Sequence, residues 1–153
     1  IRFTPIILSG QFNSDAWSVT AEYARRAFEF DSQIIYVPNE LKKITGESYY
    51  LQGIYSLSQQ WELMARYDAA YQNIDDRSGR RIEALVAGVI PRHSQFSKDW
   101  ALGARWNLSS AWMFRVEHHW VNGTAWLPFQ DNPDRAGTSQ YWRLFTMLVS
   151  YRF

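Results

Sequence analysis

The sequence predicts an all-β fold made of antiparallel strands. About seven segments alternate apolar and polar residues with period two, which is the spacing of a strand whose two faces meet different surroundings. Each segment has roughly 10 to 13 residues, near the length that crosses a bilayer when the strand is tilted. The connections alternate between short and long along the chain. Together these features predict an antiparallel transmembrane β-barrel with short turns at one end and long loops at the other.

The predicted strands follow one design, with an apolar face and a face of small or polar residues. In chain order they cover residues 1–12, 16–28, 47–57, 61–71, 99–108, 111–121 and 141–153. Short polar turns join strands one and two, three and four, and five and six. Three long connections separate these hairpins from one another and from the last strand. The second contains an apolar piece, residues 82–90, which we expect either to extend the flanking strands or to fold inward.

Composition supports a β-barrel over a helical membrane protein. Aromatic residues make up 17% of the chain, and no run of about 18 apolar residues occurs. A barrel accounts for a membrane protein that lacks a long apolar run, because only alternate residues of each strand face lipid. The chain has no cysteine, so neither a disulfide nor a thiolate metal site is predicted. The net charge of +1 argues against nucleic-acid binding, and no cofactor is predicted.

One face of the predicted strands carries most of the charged residues. The predicted pore-lining residues are Glu22, Arg26, Glu62, Arg66, Asp68, Arg105, Arg115, Glu117, His119 and Arg152. Arg105 and Arg115 flank a hairpin turn, so we expect them to be cross-strand neighbours with Glu62 and Glu117 as partners. In a small barrel such charges must pair inside a filled interior. In a larger barrel they line a watery lumen and bias which ions pass, and both alternatives remain open.

The opposite face carries the aromatic residues expected at the two membrane interfaces. They are Trp17, Trp61, Trp100, Trp112, Trp120, Tyr151 and Phe153. Trp17, Trp61 and Trp112 lie near short turns, whereas Trp100 and Trp120, with Tyr71, lie near long loops. A soluble ligand-binding barrel would show the same period. The loop asymmetry and the apolar strand that ends the chain favour the membrane.

The last strand carries the most specific signal. Phe145, Met147, Val149 and Tyr151 alternate before a terminal Phe153, and this pattern resembles the C-terminal signature of bacterial outer-membrane β-barrel proteins. The resemblance implies integration into the outer membrane, with the lipid bilayer as partner. It also implies that the barrel-insertion machinery reads the strand that ends at Phe153.

Three further stretches resemble the C-terminal part of larger porin-like proteins. They are residues 61–68 (WELMARYD), 99–106 (DWALGARW) and 114–119 (FRVEHH). This resemblance covers most of the chain and implies passive diffusion of small hydrophilic solutes or ions. Porin-like proteins are often trimers, so a homotrimer is an expected assembly. Bacterial barrels usually have an even number of strands, so an odd count leads us to expect further strands N-terminal to this segment.

Other chemistry is weakly supported. His118 and His119 are adjacent in a strand and point to opposite faces, so they cannot chelate one metal together. Asp75, Asp76, Asp131 and Asp134 lie in loops without calcium-site spacing, so no metal site is predicted. A barrel enzyme would need a Ser or Asp within hydrogen-bond reach of His93, and no nucleophile motif surrounds any serine. No catalytic residue is therefore predicted.

A small closed barrel with a structural or adhesion role is the first alternative to a channel, ahead of the barrel enzyme and the soluble ligand-binding barrel. In the channel reading, the apolar residues 126–129 lie within an otherwise polar loop, and we expect this loop to fold inward and narrow the pore.

Overall fold

A computed structural model describes residues 2–30, 42–86 and 88–153. In these ranges the chain forms one sheet of seven antiparallel strands in sequence order, which confirms the all-β prediction. The strands are β1 (Arg2–Asn13), β2 (Trp17–Glu29), β3 (Lys43–Ser56), β4 (Trp61–Tyr71), β5 (Phe96–Asn107), β6 (Trp112–Gly123) and β7 (Tyr141–Tyr151). β1 and β7 have no second partner strand in the described part of the chain, so the sheet is not closed into a barrel.

The strands divide their residues between two faces of unlike polarity. The polar face contains Glu62, Arg105 and Arg115, which lie side by side on β4, β5 and β6. The apolar face contains Trp61 and Trp106, which are directly paired. In β4–β6, residues of the polar face are more buried than residues of the apolar face. The buried residues of the polar face include Met64, Asp99, Ala101, His119 and Val121.

Serine side chains fix two of the short turns. Ser58 Oγ accepts hydrogen bonds from the backbone N–H groups of Gln60 and Trp61, both at 3.2 Å. Ser109 Oγ accepts from the N–H groups of Ala111 and Trp112 at 3.2 and 3.1 Å. A hydroxyl that bonds backbone two and three residues ahead stabilises a tight reversal, and so sets the strand register.

Two strands begin earlier than the sequence predicted. β3 starts at Lys43, four residues before the predicted start, because residues 43–46 continue the ladder with β2. β5 starts at Phe96, which pairs with Tyr71 at the end of β4. The prediction for β4 is confirmed at both ends. Most of the first long connection, residues 31–41, lies outside the described residues.

The second long connection folds into short helical turns. Helix α1 covers Arg80–Leu85, between 3₁₀ turns at Ile74–Asp76 and Arg92–Gln95. Asp76 Oδ2 accepts from the N–H groups of Arg81 and Ile82 at 2.9 and 3.0 Å, which satisfies donors that the first helical turn leaves free. The described part of residues 82–90 does not extend the flanking strands, so that option was wrong. No helix among the described residues is long and apolar enough to cross a membrane.

The second and third long connections bind each other at the same end of the sheet. The backbone N–H of Thr124 donates to His93 O at 2.8 Å, and that of Ala125 donates to Phe96 O at 3.1 Å. Gln72 Nε2 donates to Ala125 O at 3.4 Å. These hydrogen bonds hold the two connections together beside the strand ends.

Candidate functional site

The polar face brings the predicted charged residues of β4, β5 and β6 together. Glu62 is directly paired with Arg105, which is directly paired with Arg115. Arg105 Nη2 lies 2.5 Å from Glu62 Oε1, and Arg115 forms an ion pair with Glu117. The predicted neighbours and their carboxylate partners are therefore confirmed. Their role in lining a pore stays a prediction.

In every arginine–carboxylate pair on this face, the cation is the more exposed partner. The side chain of Arg105 is 41% exposed and that of Glu62 is 23% exposed. For Arg115 and Glu117 the fractions are 42% and 13%. Arg66, which lies 2.6 Å from Asp68, follows the same order. The guanidinium groups therefore lie above the carboxylates and meet the solvent first.

His119 lies buried between two carboxylates. Its Nδ1 lies 2.6 Å from Asp99 Oδ2, and its Nε2 lies 3.3 Å from Glu117 Oε2. Asp99 is only 1% exposed, and its second oxygen, Oδ1, has no hydrogen-bond partner among the described residues. Sequence reasoning missed Asp99, although period two places it on the face of Arg105. The placement of His119 opposite in direction to His118 is confirmed, since His118 stacks edge-on against Trp120 at 4.4 Å.

The remaining predicted residues of this face stand apart from the paired group. Glu22 lies opposite Ser9 and Tyr50 in the register, and Arg26 lies opposite Pro5 and Gly46. Arg152 follows β7 and borders an open groove of about 580 Å³ at the short-turn end, together with Arg105. Within the described chain, none of Glu22, Arg26 and Arg152 forms an ion pair. The structure therefore places seven of the ten predicted charged residues on β4–β6, in three separate groups of paired side chains.

The apolar face carries two rows of aromatic side chains. In the row near the short turns, Trp61 stacks on Trp106 at 5.4 Å and Trp112 packs on Tyr151 at 4.7 Å. In the row near the long connections, Tyr67 packs on Trp100 at 4.7 Å. The exposed predicted aromatics are Trp17, Trp61, Trp100, Trp112, Trp120, Tyr151 and Phe153. An exposed aliphatic band separates the rows, and it includes Leu51, Leu63, Leu102, Val116 and Met147.

Tyr71 does not belong to the exposed aromatic row that the sequence predicted. It is buried with Ala69 and Phe96, and the cationic groups of Arg77 and Lys98 lie 5.3 and 6.0 Å from its ring centroid. The second long connection places Arg77 over this strand end, a contact that strand periodicity alone does not predict. The small apolar core of the described chain lies here.

His93 does not contact a carboxylate or serine side chain in the described chain. Its Nε2 lies 3.0 Å from Thr138 Oγ1, and that hydroxyl donates to Arg135 O at 2.7 Å. The hydroxyl proton of Thr138 is therefore directed at a backbone carbonyl and not at His93. The contact between His93 and Thr138 links the second long connection to the third. No cluster of His, Asp or Glu among the described residues has the geometry of a metal site.

A cavity of about 700 Å³ lies between the polar face and the long connections. Arg26, Phe28 and Ile44 form its strand side, and Ile82, Phe129 and Arg135 face it from the connections. Sequence reasoning expected residues 126–129 to fold inward, and Phe129 does lie beside this cavity. Its effect on solute passage stays a prediction.

Comparison of the chain with known protein families, with curated proteins and with solved structures finds no match.

Proposed function

We propose that this chain forms part of the wall of an outer-membrane β-barrel channel, through which small hydrophilic solutes or ions diffuse passively. The observation that carries the proposal is the inverted polarity of the two faces. A soluble barrel buries its apolar residues on the concave side, where they form the core. Here the more buried side of the sheet carries the charged residues, and large apolar side chains such as Leu102 and Met147 are 53% and 69% exposed on the other side.

The layout of the apolar face supports contact with a bilayer. Along β3, Tyr49 and Tyr55 belong to different aromatic rows, and six residues at roughly 3.3 Å each separate them by about 20 Å. Along a strand tilted by about 40°, that separation covers about 15 Å of the apolar band, which is about 25 Å tall in outer-membrane barrels. The aliphatic side chains between the rows would face the lipid tails.

The polar face supplies the hydrophilic surface that a channel requires. Its arginines are partly exposed and its carboxylates lie beneath them, so a solute on this face meets guanidinium groups first. Fixed charges along a pore bias which ions pass. We therefore expect the described part of the wall to favour anions over cations of similar size.

The open edges of the sheet bear on assembly. Backbone groups within a bilayer need hydrogen-bond partners, so in a membrane the open edges of β1 and β7 must each have a partner strand. In the proposal these strands complete the barrel, and the insertion machinery recognises the strand that ends at Phe153. Assembly into a homotrimer belongs to the same proposal.

Conductance across a planar bilayer tests the proposed function. The full-length protein is refolded, and its folding is checked by a heat-dependent shift in electrophoretic mobility. Discrete, ohmic conductance steps are expected. A folded, heat-modifiable protein that gives no steps would contradict the channel and would favour a small closed barrel with a structural or adhesion role.

A further inference from the structure

The cavity at the long-connection end combines apolar walls with two guanidinium groups. Phe28, Ile44 and Ile82 supply apolar lining, and Arg26 and Arg135 supply the charges. A volume of about 700 Å³ is within the range of sites that bind small molecules. The lining is therefore suited to a ligand with an apolar body and a polar group.

The two arginines differ from Arg66, Arg105 and Arg115 because neither forms an ion pair with a carboxylate in the described chain. Arg26 Nε is buried and has no hydrogen-bond partner there. Arg135 Nη1 donates to Thr124 O at 3.4 Å, and its guanidinium lies 5.7 Å from the centroid of the Phe129 ring. A buried donor without a partner costs free energy unless a ligand or water accepts from it. Both arginines can therefore donate to an anion.

Among the described residues of the lining, the one acidic side chain already accepts hydrogen bonds from neighbouring groups. Asp76 accepts two backbone hydrogen bonds at the start of α1, and its other oxygen accepts from Ser78 Oγ at 3.3 Å. It is therefore not directed at the arginines. The contacts between the connections, such as His93 Nε2 with Thr138 Oγ1, hold the walls of the cavity in place.

From these observations we infer that the cavity is a binding site for small organic acids with an apolar body, of the aromatic carboxylate class. The carboxylate accepts hydrogen bonds from Arg26 and Arg135, and the apolar body lies among Phe28, Ile44 and Ile82. Arginine is suited to this role because its planar fork matches a carboxylate. The inference rests on the proposed function in one respect: it makes this cavity a recognition site at the mouth of the channel.

Calorimetric titration of the full-length protein in lipid nanodiscs tests the site, with empty nanodiscs as the blank. Benzoate is the probe. Benzyl alcohol keeps the ring without the charge, and acetate keeps the charge with little apolar body. We expect benzoate to bind at least about tenfold more tightly than either, equivalent to about 1.4 kcal/mol at 25 °C. Equal affinity for benzyl alcohol, or no benzoate binding, would overturn the inference.

Matched arginine variants locate the binding. Arg26→Gln and Arg135→Gln should each weaken benzoate binding by about tenfold while leaving the affinity for benzyl alcohol unchanged. Arg25→Gln is the control, because Arg25 is the neighbour of Arg26 on the opposite, apolar face and is exposed. An equal loss in the Arg25 variant would place the binding elsewhere.

A salt titration of the unmodified protein gives a test that does not depend on folding of the variants. Benzoate affinity should fall as salt rises, whereas benzyl alcohol affinity should not. A benzoate affinity that does not change with salt concentration would overturn the role of the arginines in binding the carboxylate. The site and the channel can also fail separately, because nanodisc binding requires no conductance. Benzoate binding without conductance would retain the site alone, and conductance without binding would retain the channel alone.

Discussion

Neutralising one partner of the Glu62–Arg105 pair should shift ion selectivity in a direction set by which partner is removed. Arg105→Gln removes an exposed guanidinium from the polar face and should lower the permeability of chloride relative to potassium. Glu62→Gln leaves that guanidinium without its carboxylate, which lies 2.5 Å away, and should raise the same ratio. The double variant removes both charges and should return near the parental ratio.

The size of each shift follows from the exposure of the pair and from Coulomb's law. An ion that passes about 5 Å from a unit charge in water gains or loses about 0.8 kcal/mol, or about fourfold in local concentration. Screening over a Debye length of about 10 Å at 0.1 M salt reduces this to about twofold. Because the Arg105 side chain is 41% exposed, a passing ion can come close to its guanidinium group. We therefore expect a change of about two- to fourfold in the permeability ratio.

The assay is the zero-current potential across a planar bilayer under a potassium chloride gradient. Arg143→Gln is the matched control, because Arg143 lies on the exposed apolar face and should leave the potential unchanged. If neither Arg105→Gln nor Glu62→Gln moves the potential in a protein that still conducts, the polar face does not line the conducting path. A shift in the same direction for both variants would refute the charge argument.

Three further predictions concern the wall and its connections. Gly123→Ala should destabilise the folded protein by about 1–3 kcal/mol, measured by urea titration, because Gly123 has φ 101° and an added Cβ would overlap the carbonyl oxygen of Phe96. In the same titration in lipid, Leu102→Arg on the apolar face should cost about 2–4 kcal/mol and Gln52→Arg on the polar face much less; equal costs would contradict the assignment of faces. Replacing residues 126–129 by a Gly-Ser linker should raise single-channel conductance, and an unchanged conductance would remove this loop from the conducting path.

The strands and their faces were predictable because period two depends only on local sequence. Trp61–Tyr71 matches at both ends, since polar turn residues stop the pattern before it and a polar run follows it. Where the ladder runs through polar residues or glycine, as at Lys43–Gly46, the pattern fades although pairing with β2 continues. Strand pairing is a property of two segments, so a strand predicted from one segment alone begins too late here.

The connections were less predictable because their structure depends on contacts between distant residues. Residues 82–90 are apolar enough to suggest a strand, but Asp76 binds the first N–H groups of α1 and a helix forms from Arg80. The contact between Asp99 and His119 spans two strands and depends on the register. The cavity beside Arg26 depends on how two long connections fold over the sheet.

We infer that side-chain length, and not net charge, sets the sign of the charge that the polar face presents to solvent. The polar face carries five arginines, at positions 26, 66, 105, 115 and 152, and five carboxylates, at positions 22, 62, 68, 99 and 117. A count of charges therefore predicts a neutral wall. An arginine has a longer side chain than its acidic partner, so in a pair on one face of a sheet the guanidinium extends toward water and the carboxylate stays near the backbone. The exposures of Arg115 and Glu117, 42% and 13%, follow this order. Exchanging that pair as Arg115→Glu with Glu117→Arg would keep the count and the order of lengths, so an anion preference that survives the exchange would support length over position.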